Sequence, residues 1–518
     1  MTAISSLTKL LSCMQGLDYV LLVITLSTLS WYTWLYIKSK RQSHPLPPGP
    51  CGLPVVGNLP FLKPELHTYF HGLAKEHGPI FKLWLGAKLV IVVNSSELAR
   101  EILKTNDVIF ANHDVSAVGV VNMYGGIDIA LLPYGPKWRM LRKICVNRLL
   151  SNSRMDASAS LRRVETRRTV RYLADQARVG SPVNLGEIFS RMISNVMTQM
   201  LWGGTVEEEE REIIGAEFSE LVTEITDLLL KPNVSDFFPV LSRFDLQGLA
   251  KRMQGPTERM DRLFDRVINK HLGMDRESEG KGNDFLEVLL KIKNENDENA
   301  ILDMNDVKAM LMEMVLAGTD SSLHVIQFAM AELIKNQDIM KIAQQEIDDV
   351  VGKHKVVEES HIPKLPYILA IMKETLRLHT VSPLLLPHRP SQTTVVGGFT
   401  IPKDSNVFIN AWAIHRNPDV WENPQEFNPD RFLHKSYDFK GNDFTYLPFG
   451  SGRRICAGTA MSERAVLYNI ATLLHSFDWE LPNGERVDIE EKFGIALKMK
   501  NPLVATPVLR LSDPNLYL

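Results

Sequence analysis

The chain has 518 residues, with 58 Lys and Arg against 61 Asp and Glu (formal net charge −3), 45% hydrophobic residues and four cysteines. Four cysteines cannot staple a fold of this length, and balanced charge with ample apolar content excludes a disordered or acidic-tail protein. The same balance lacks the basic footprint of nucleic-acid binding.

At the amino terminus, the stretch from Tyr19 to Ile37 carries no charge for 19 residues. As a helix it spans about 28 Å, close to the bilayer core. Trp31, Tyr32, Trp34 and Tyr36 crowd its far end like an interfacial belt, and Lys38, Lys40 and Arg41 follow it, against only Lys9 before it. The pattern predicts a single-pass transmembrane anchor over 19–37, a lumenal segment over 1–18 and a body facing the cytosol, where thiols stay reduced. A cleaved signal peptide fits less well, because the apolar run is too long and no small-residue cleavage site precedes the charges. The two glycosylation patterns, at Asn94 and Asn233, are then out of reach of the transferase. Residues 38–52 form a basic, proline-rich linker, and Pro45-Leu46-Pro47-Pro48-Gly49-Pro50 reads as a stiff extended spacer.

From residue 53 to 518 no internal repeat and no second proline-rich linker appears, so the length is taken up by one large domain. Strand patterns are few: Ile80 to Leu85, Leu89 to Val93, and Thr393 to Ile401 with a Gly397-Gly398 turn. Helical periodicity dominates elsewhere, giving an expected fold that is mainly α with small β-sheets. The longest helical pattern runs from about Asn305 to Asn336. Its middle, Ala317-Gly318-Thr319-Asp320-Ser321-Ser322, puts a helix-weakening glycine beside an acid and two hydroxyls, which taken alone reads as a kink with a back-bonded serine.

The most informative segment is Phe449-Gly450-Ser451-Gly452-Arg453-Arg454-Ile455-Cys456-Ala457-Gly458. Its glycines let the backbone turn sharply and approach a flat ligand, and its arginines add positive charge. Thr459 to Phe477 reads as a helix, so Cys456 precedes a helix amino terminus, where free N–H groups favour a thiolate. No second cysteine or histidine stands near enough for a tetrahedral zinc site, and Ile455 occupies the place of the third glycine in a dinucleotide fingerprint. A single thiolate suits an axial ligand of haem iron. A buried free cysteine is the commoner fate, but it leaves the glycines and arginines unexplained.

The segment resembles the haem-binding loop of the cytochrome P-450 superfamily, F-x-x-G-x-R-x-C-x-G, at every fixed position. Glu374-Thr375-Leu376-Arg377 is similar to that family's E-x-x-R helix, and Phe427-Asn428-Pro429-Asp430-Arg431-Phe432 to the motif that follows it. The resemblance implies a structural triad of Glu374, Arg377 and Arg431. It implies Cys456 as the iron ligand of haem b, with Trp138 and Arg142 of a W-x-x-x-R helix, His388 and Arg454 on the haem propionates, and Phe449 beside the haem. The 317–322 segment resembles the oxygen-activation motif, in which Gly318 makes room while Asp320 and an alcohol supply protons; the usual threonine is Ser321 here. Serine keeps the hydroxyl without the methyl that fixes its rotamer, so function with some leakage to hydrogen peroxide is expected.

Carried over from the family, the pocket walls are the loop Asn112 to Leu132, Met314, Val315 and Ala317, the segment Val381 to Leu386 with Leu384 and Leu385, and Gly494 to Leu497 with Ile495. They suggest a hydrophobic small molecule. Phe237-Phe238-Pro239-Val240 is expected either in the bilayer or against the body. Three further segments resemble plant microsomal members linked to terpenoid and phenolic metabolism: Leu46 to Pro50, Pro133 to Arg139, and Pro387-His388-Arg389-Pro390. This implies hydroxylation of a sesquiterpene-like terpenoid with O2 in the endoplasmic reticulum membrane, with a flavonoid or other phenolic as second choice. No flavin or nicotinamide domain fits the remaining length, so electrons are expected from a separate NADPH-dependent reductase, with Lys137, Arg139 and Lys143 facing it. A haem-thiolate isomerase or dehydratase would need no external electrons, and a membrane-tethered haem sensor no proton relay; Asp320 and Ser321 argue against both.

Overall fold

The computed structural model describes residues 16–40, 44–122, 124, 127–203, 206, 208–273, 284–295, 301–435, 437–482, 486–494 and 496–518. Most of the expected lumenal segment, together with Arg41 and Ile495, lies outside the described residues.

Helix α1 (Gly16–Lys40) precedes the body. From Tyr19 to Trp31 its side chains are exposed, apart from the half-buried Thr28. Thr25, Thr28 and Thr33 return their hydroxyls to the carbonyls of Leu21, Ile24 and Leu29, each at 2.8 Å, so these polar groups are satisfied within the helix. Among the described residues no helix is long and apolar enough to cross a membrane. The proline stretch is docked on the body. The Lys82 N–H donates to the Pro48 carbonyl (2.8 Å) and its ammonium to that of Pro47 (2.6 Å), while the Thr400 N–H donates to the Pro45 carbonyl (2.9 Å). A Cβ on Gly49 would sit 1.9 Å from the Lys82 carbonyl oxygen, so only glycine admits this approach.

The largest sheet has five strands: β1 (Ile80–Leu85), β2 (Lys88–Val93), β3 (Asn112–His113), β4 (His388–Arg389) and β5 (Asn406–Ile409), in the order β1-β2-β5-β4-β3. β1 and β2 form the expected hairpin, with Ile80 opposite Val93 and Leu85 opposite Lys88. β5 runs parallel to β2, from Val90 opposite Asn406 to Val93 opposite Ile409. The Gly397-Gly398 turn joins Thr394–Val396 to Phe399–Ile401, with both glycines at positive φ (56° and 81°) as a tight hairpin requires.

The helical body is built around α2 (Pro136–Ile144), α3 (Met304–Gly318), α4 (Asp320–Lys335), α5 (Pro366–Leu378) and α6 (Thr459–Ser476). The single helix expected over 305–336 is two helices, broken at Thr319 (φ −87°, ψ −69°). The cause is local: the Thr319 hydroxyl donates to the Val315 carbonyl (2.8 Å) and the Ser321 hydroxyl to that of Ala317 (2.9 Å), competing for the acceptors of the backbone ladder. On α4 every side chain from Ser322 to Ile334 is buried, so this element lies in the middle of the body.

Among the described cysteines Cys51, Cys145 and Cys456 are free. Cys145 is core, and burial pushes its thiol up to about 12. Asn94 and Asn233, the two glycosylation patterns, are both engaged: the Asn94 side-chain oxygen accepts from Asn410 (2.9 Å), and that of buried Asn233 accepts the Ser235 N–H (3.0 Å). Phe237 packs beside β1 and β2 and Phe238 against Gly86, whereas Val240 is 80% exposed.

Candidate functional site

Cys456 closes a loop whose Gly450 and Gly452 have φ of 72° and 68°, the left-handed region that disfavours any residue with a Cβ. The constraint is doubled at Gly452, where a Cβ would lie 2.2 Å from the Leu103 carbonyl oxygen. The Cys456 N–H donates to the Phe449 carbonyl (3.0 Å), and the Thr459 hydroxyl donates to the Cys456 carbonyl (3.1 Å) at the start of α6. Cys456 has open surface and lines a cavity of about 300 Å³ inside the body. Depth pushes its thiol up, opposed by the Gly458 N–H, the Arg142 guanidinium and the Thr459 hydroxyl.

Arg142, His388, Phe449 and Arg454 line the same cavity. Arg142 donates to the Ile455 carbonyl. Arg454 spends its donors on the carbonyls of Ala111 (2.5 Å), Ile129 (2.7 Å) and Leu132 (2.5 Å), and lies 4.5 Å from the Trp138 ring. Burial and the charge of Arg142 lower it to about 10. His388 faces the Phe110 carbonyl through Nδ1 (2.8 Å), and burial lowers it to about 4, so it is neutral at pH 7. Trp138 differs from expectation: its indole N–H donates to the Ile129 carbonyl (2.9 Å), and the residue does not line the cavity. It braces the loop that Arg454 holds.

Sequence reading missed Glu313, one turn before Ala317. It is buried in the cavity wall, accepts the Ile129 N–H (2.7 Å), and is pushed up to about 8 by burial and by Asp128. Asp128 is itself raised by burial and has one oxygen without a partner. Glu313 is held toward the neutral form and burial raises Asp128, which weakens the acidic counterweight to Arg142 and Arg454. A rim carrying these two arginines, with a cysteine sulfur facing the same cavity, fits the propionates and iron of the haem implied above. His113, also unforeseen, lies 4.9 Å from His388, ring centroid to centroid.

Met314, Ala317, Gly318 and Ser321 also line the cavity, joined by Val325, Val381, Leu385 and Leu386. Val315 does not: it is fully buried in the helical core, because the helix phase that turns Met314 inward turns its neighbour away. Leu384 is likewise displaced, packing beside β1 and β2 while Leu385, at φ 50°, takes the cavity position. Asp320 is half-buried at the start of α4 and does not line the cavity. Next to Gly318 lies Met197, whose terminal methyl would be 2.7 Å from an added Cβ.

Glu374, Arg377 and Arg431 meet away from the cavity. Arg377 bonds both Glu374 oxygens (2.7 and 2.8 Å), Arg431 bonds one (3.0 Å), and the Asn428 N–H bonds the same oxygen (2.8 Å). Of the three cations expected to face a reductase, Lys137 pairs with Asp306 at 2.7 Å, Arg139 lies 5.7 Å from the Tyr134 ring, and Lys143 is exposed.

Comparison with known proteins places this geometry. The cytochrome P450 family model matches residues 47–505. A flavonoid 3'-monooxygenase of Crocosmia x crocosmiiflora is 40% identical, over 92% of this chain and 95% of that protein. Geraniol 8-hydroxylase of Catharanthus roseus is 36% identical, over 95% and 99%. Among solved structures, a zebra fish cytochrome P450 with progesterone superposes with a TM-score of 0.73 at 25% identity, over 86% of this chain and all of that one. The sulfur-bearing loop, the arginine rim and the broken helix therefore belong to a chain that is a member of the plant cytochrome P450 monooxygenases.

Proposed function

We propose that the enzyme hydroxylates an apolar small molecule, a terpenoid first and a flavonoid second. The observation that carries this is the lining of the cavity that Cys456 shares: Met314, Ala317, Val325, Val381 and Leu386 are apolar, and the one acid, Glu313, has an oxygen occupied by the Ile129 N–H. Such a wall orients a hydrocarbon by shape. The flavonoid reading rests on the flavonoid hydroxylases among the relatives, such as that of Solanum melongena, 39% identical over 90% of this chain.

Family membership implies a haem cofactor. Cys456 would hold it, and it would supply the iron chemistry that activates dioxygen, with a thiolate ligand donating electron density. Arg142, Arg454 and His388 would hold the propionates and Phe449 would pack beside the group. Trp138 acts indirectly, through the Ile129 loop. Asp320 and Ser321 pass protons toward the cavity; Ser321 donates to Ala317 at rest and serves when its hydroxyl swings off that carbonyl. Glu374, Arg377 and Arg431 fix the fold behind the cysteine loop.

Electrons come from an NADPH-dependent reductase, with Lys143 the freest of the three docking cations. The protein sits on the endoplasmic reticulum membrane with its body in the cytosol. The single-pass anchor of this reading is the charge-free run 19–37, supported by the internally bonded threonines of α1, although α1 as described falls short of the apolar length of a span; the proline stretch docked on the body follows it. Val240, Phe244 and Leu246, all more than half exposed, add an apolar contact with the bilayer.

Co-expression with a reductase and feeding of terpenes and flavonoids under labelled O2 tests this reading. One labelled atom in a terpenoid product, dependent on NADPH, is expected; turnover of flavonoids alone reverses the order of the two substrates, and product without label refutes hydroxylation. Cys456→Ala should abolish the red-shifted carbon monoxide band of the reduced protein.

A further inference from the structure

Protons for the cavity must come from water, and Asp320 does not itself line the cavity. Along α4, residues 320, 324 and 327 lie at i, i+4 and i+7 on one face. The second is His324, 8% exposed, its Nδ1 buried without a protein partner. The third is Gln327, one turn further along the same face, whose amide raises the imidazole's proton affinity and which lines an open groove on the outside of the body. Polar side chains, among them Asn184, Glu187, Asn195 and Lys498, stand in the walls of that groove. Gly186 lies against the Gln327 amide, where a Cβ would be 2.9 Å from Nε2 and would close this approach.

We propose that His324 and Gln327 link the outer groove to the Asp320 and Ser321 pair, feeding protons from solvent to the cavity. The proposal rests on the proton-supply reading of Asp320 and Ser321 and extends it outward. Burial lowers His324 while the Asp320 carboxylate raises it and Lys498 lowers it; these are the charged groups that bear on the ring, one on its own helix and one on the packed strand Lys498–Met499. A neutral imidazole accepts a proton at one nitrogen and gives one from the other. In each transfer His324 takes a proton from groove solvent beside the Gln327 amide at one nitrogen and releases one from the other to the Asp320 carboxylate; Asp320 hands it to the Ser321 hydroxyl as Ser321 gives its own proton to the cavity, and His324, left as the other tautomer, resets by turning its ring before the next transfer. Two such protons and two electrons from the reductase reduce one oxygen atom of O2 to water, while the other enters the substrate.

The test uses the full chain with its reductase. His324→Phe should lower product formed per NADPH by roughly 10-fold or more, raise the solvent deuterium isotope effect and shift the pH profile, with the carbon monoxide band unchanged. His324→Gln, which keeps hydrogen bonding without titrating, should reproduce the altered pH profile in a folded protein. Independently of turnover, the nuclear magnetic resonance titration of the His324 ring should move to lower pH in Asp320→Asn. An isotope effect and pH profile unchanged in both His324 variants, or a ring titration indifferent to Asp320→Asn, overturns the proposal. If Asp320→Asn and Ser321→Ala also leave coupling intact, the acid and alcohol reading has failed; if they uncouple while the His324 variants do not, only the extension has.

Discussion

Glu374 on α5 and Glu313 on α3 are both buried glutamates on helices, yet their surroundings differ in kind. Glu374 meets two guanidinium groups and a backbone N–H, so its charge is answered at both oxygens. Glu313 meets one backbone N–H and a neighbouring acid, and is driven toward neutrality. Burial alone therefore does not fix the state of a carboxylate; the number of donors aimed at it does. The first site ties α5 to the 427–432 segment through paired charges, whereas the second makes the loop over the cavity sensitive to pH.

Three changes would break or sharpen this contrast. The largest effect is expected from Arg377→Met, which strips the bidentate partner from a fully buried acid and should cost about 3–5 kcal/mol, read as a lower denaturation midpoint and loss of haem-loaded protein. An Arg377→Met protein of normal stability would show that the site is not stabilised by pairing. Arg431→Met removes a single bond to Glu374 from a partly exposed residue and should cost less, about 1–3 kcal/mol, in the same denaturation measurement. The smallest and most specific effect concerns Glu313. Its folded value, about 8, lies above the ordinary 4.5, so the folded state binds the extra proton. Stability from this group is full below about 4.5 and is lost as pH rises through about 8. Thermal midpoints should fall between those limits, and Glu313→Gln, which still accepts from Ile129, should flatten the fall. Parallel pH curves for the two proteins would contradict the assignment.

Much of the architecture could be read from residues alone. The β1–β2 hairpin and the Gly397-Gly398 turn follow from alternation and paired glycines, and α6 begins where the cysteine motif ends. β5 was not legible: four residues give too short a pattern, and its parallel pairing with β2 joins residues more than 300 positions apart. The break at Thr319 was visible only as a weak point, since back-bonding by Thr319 and Ser321 turns a kink into two helices. Glu313 was hidden because a glutamate on a helix looks like any solvated acid until the Ile129 loop folds over it.

By itself the sequence determined the turn of the Cys456 loop, because glycines at positive φ and a thiol before a helix are local requirements that few residue patterns meet. It also determined that a pocket exists near 314–321 and 381–386. Only the tertiary structure decided which neighbours face it: Met314 in place of Val315, Leu385 in place of Leu384, Arg454 committed to three carbonyls, Trp138 to one of the same three. The physical reason is that a motif fixes the residue types a reaction needs, whereas helix phase, loop closure and burial are settled by contacts between segments far apart in the chain.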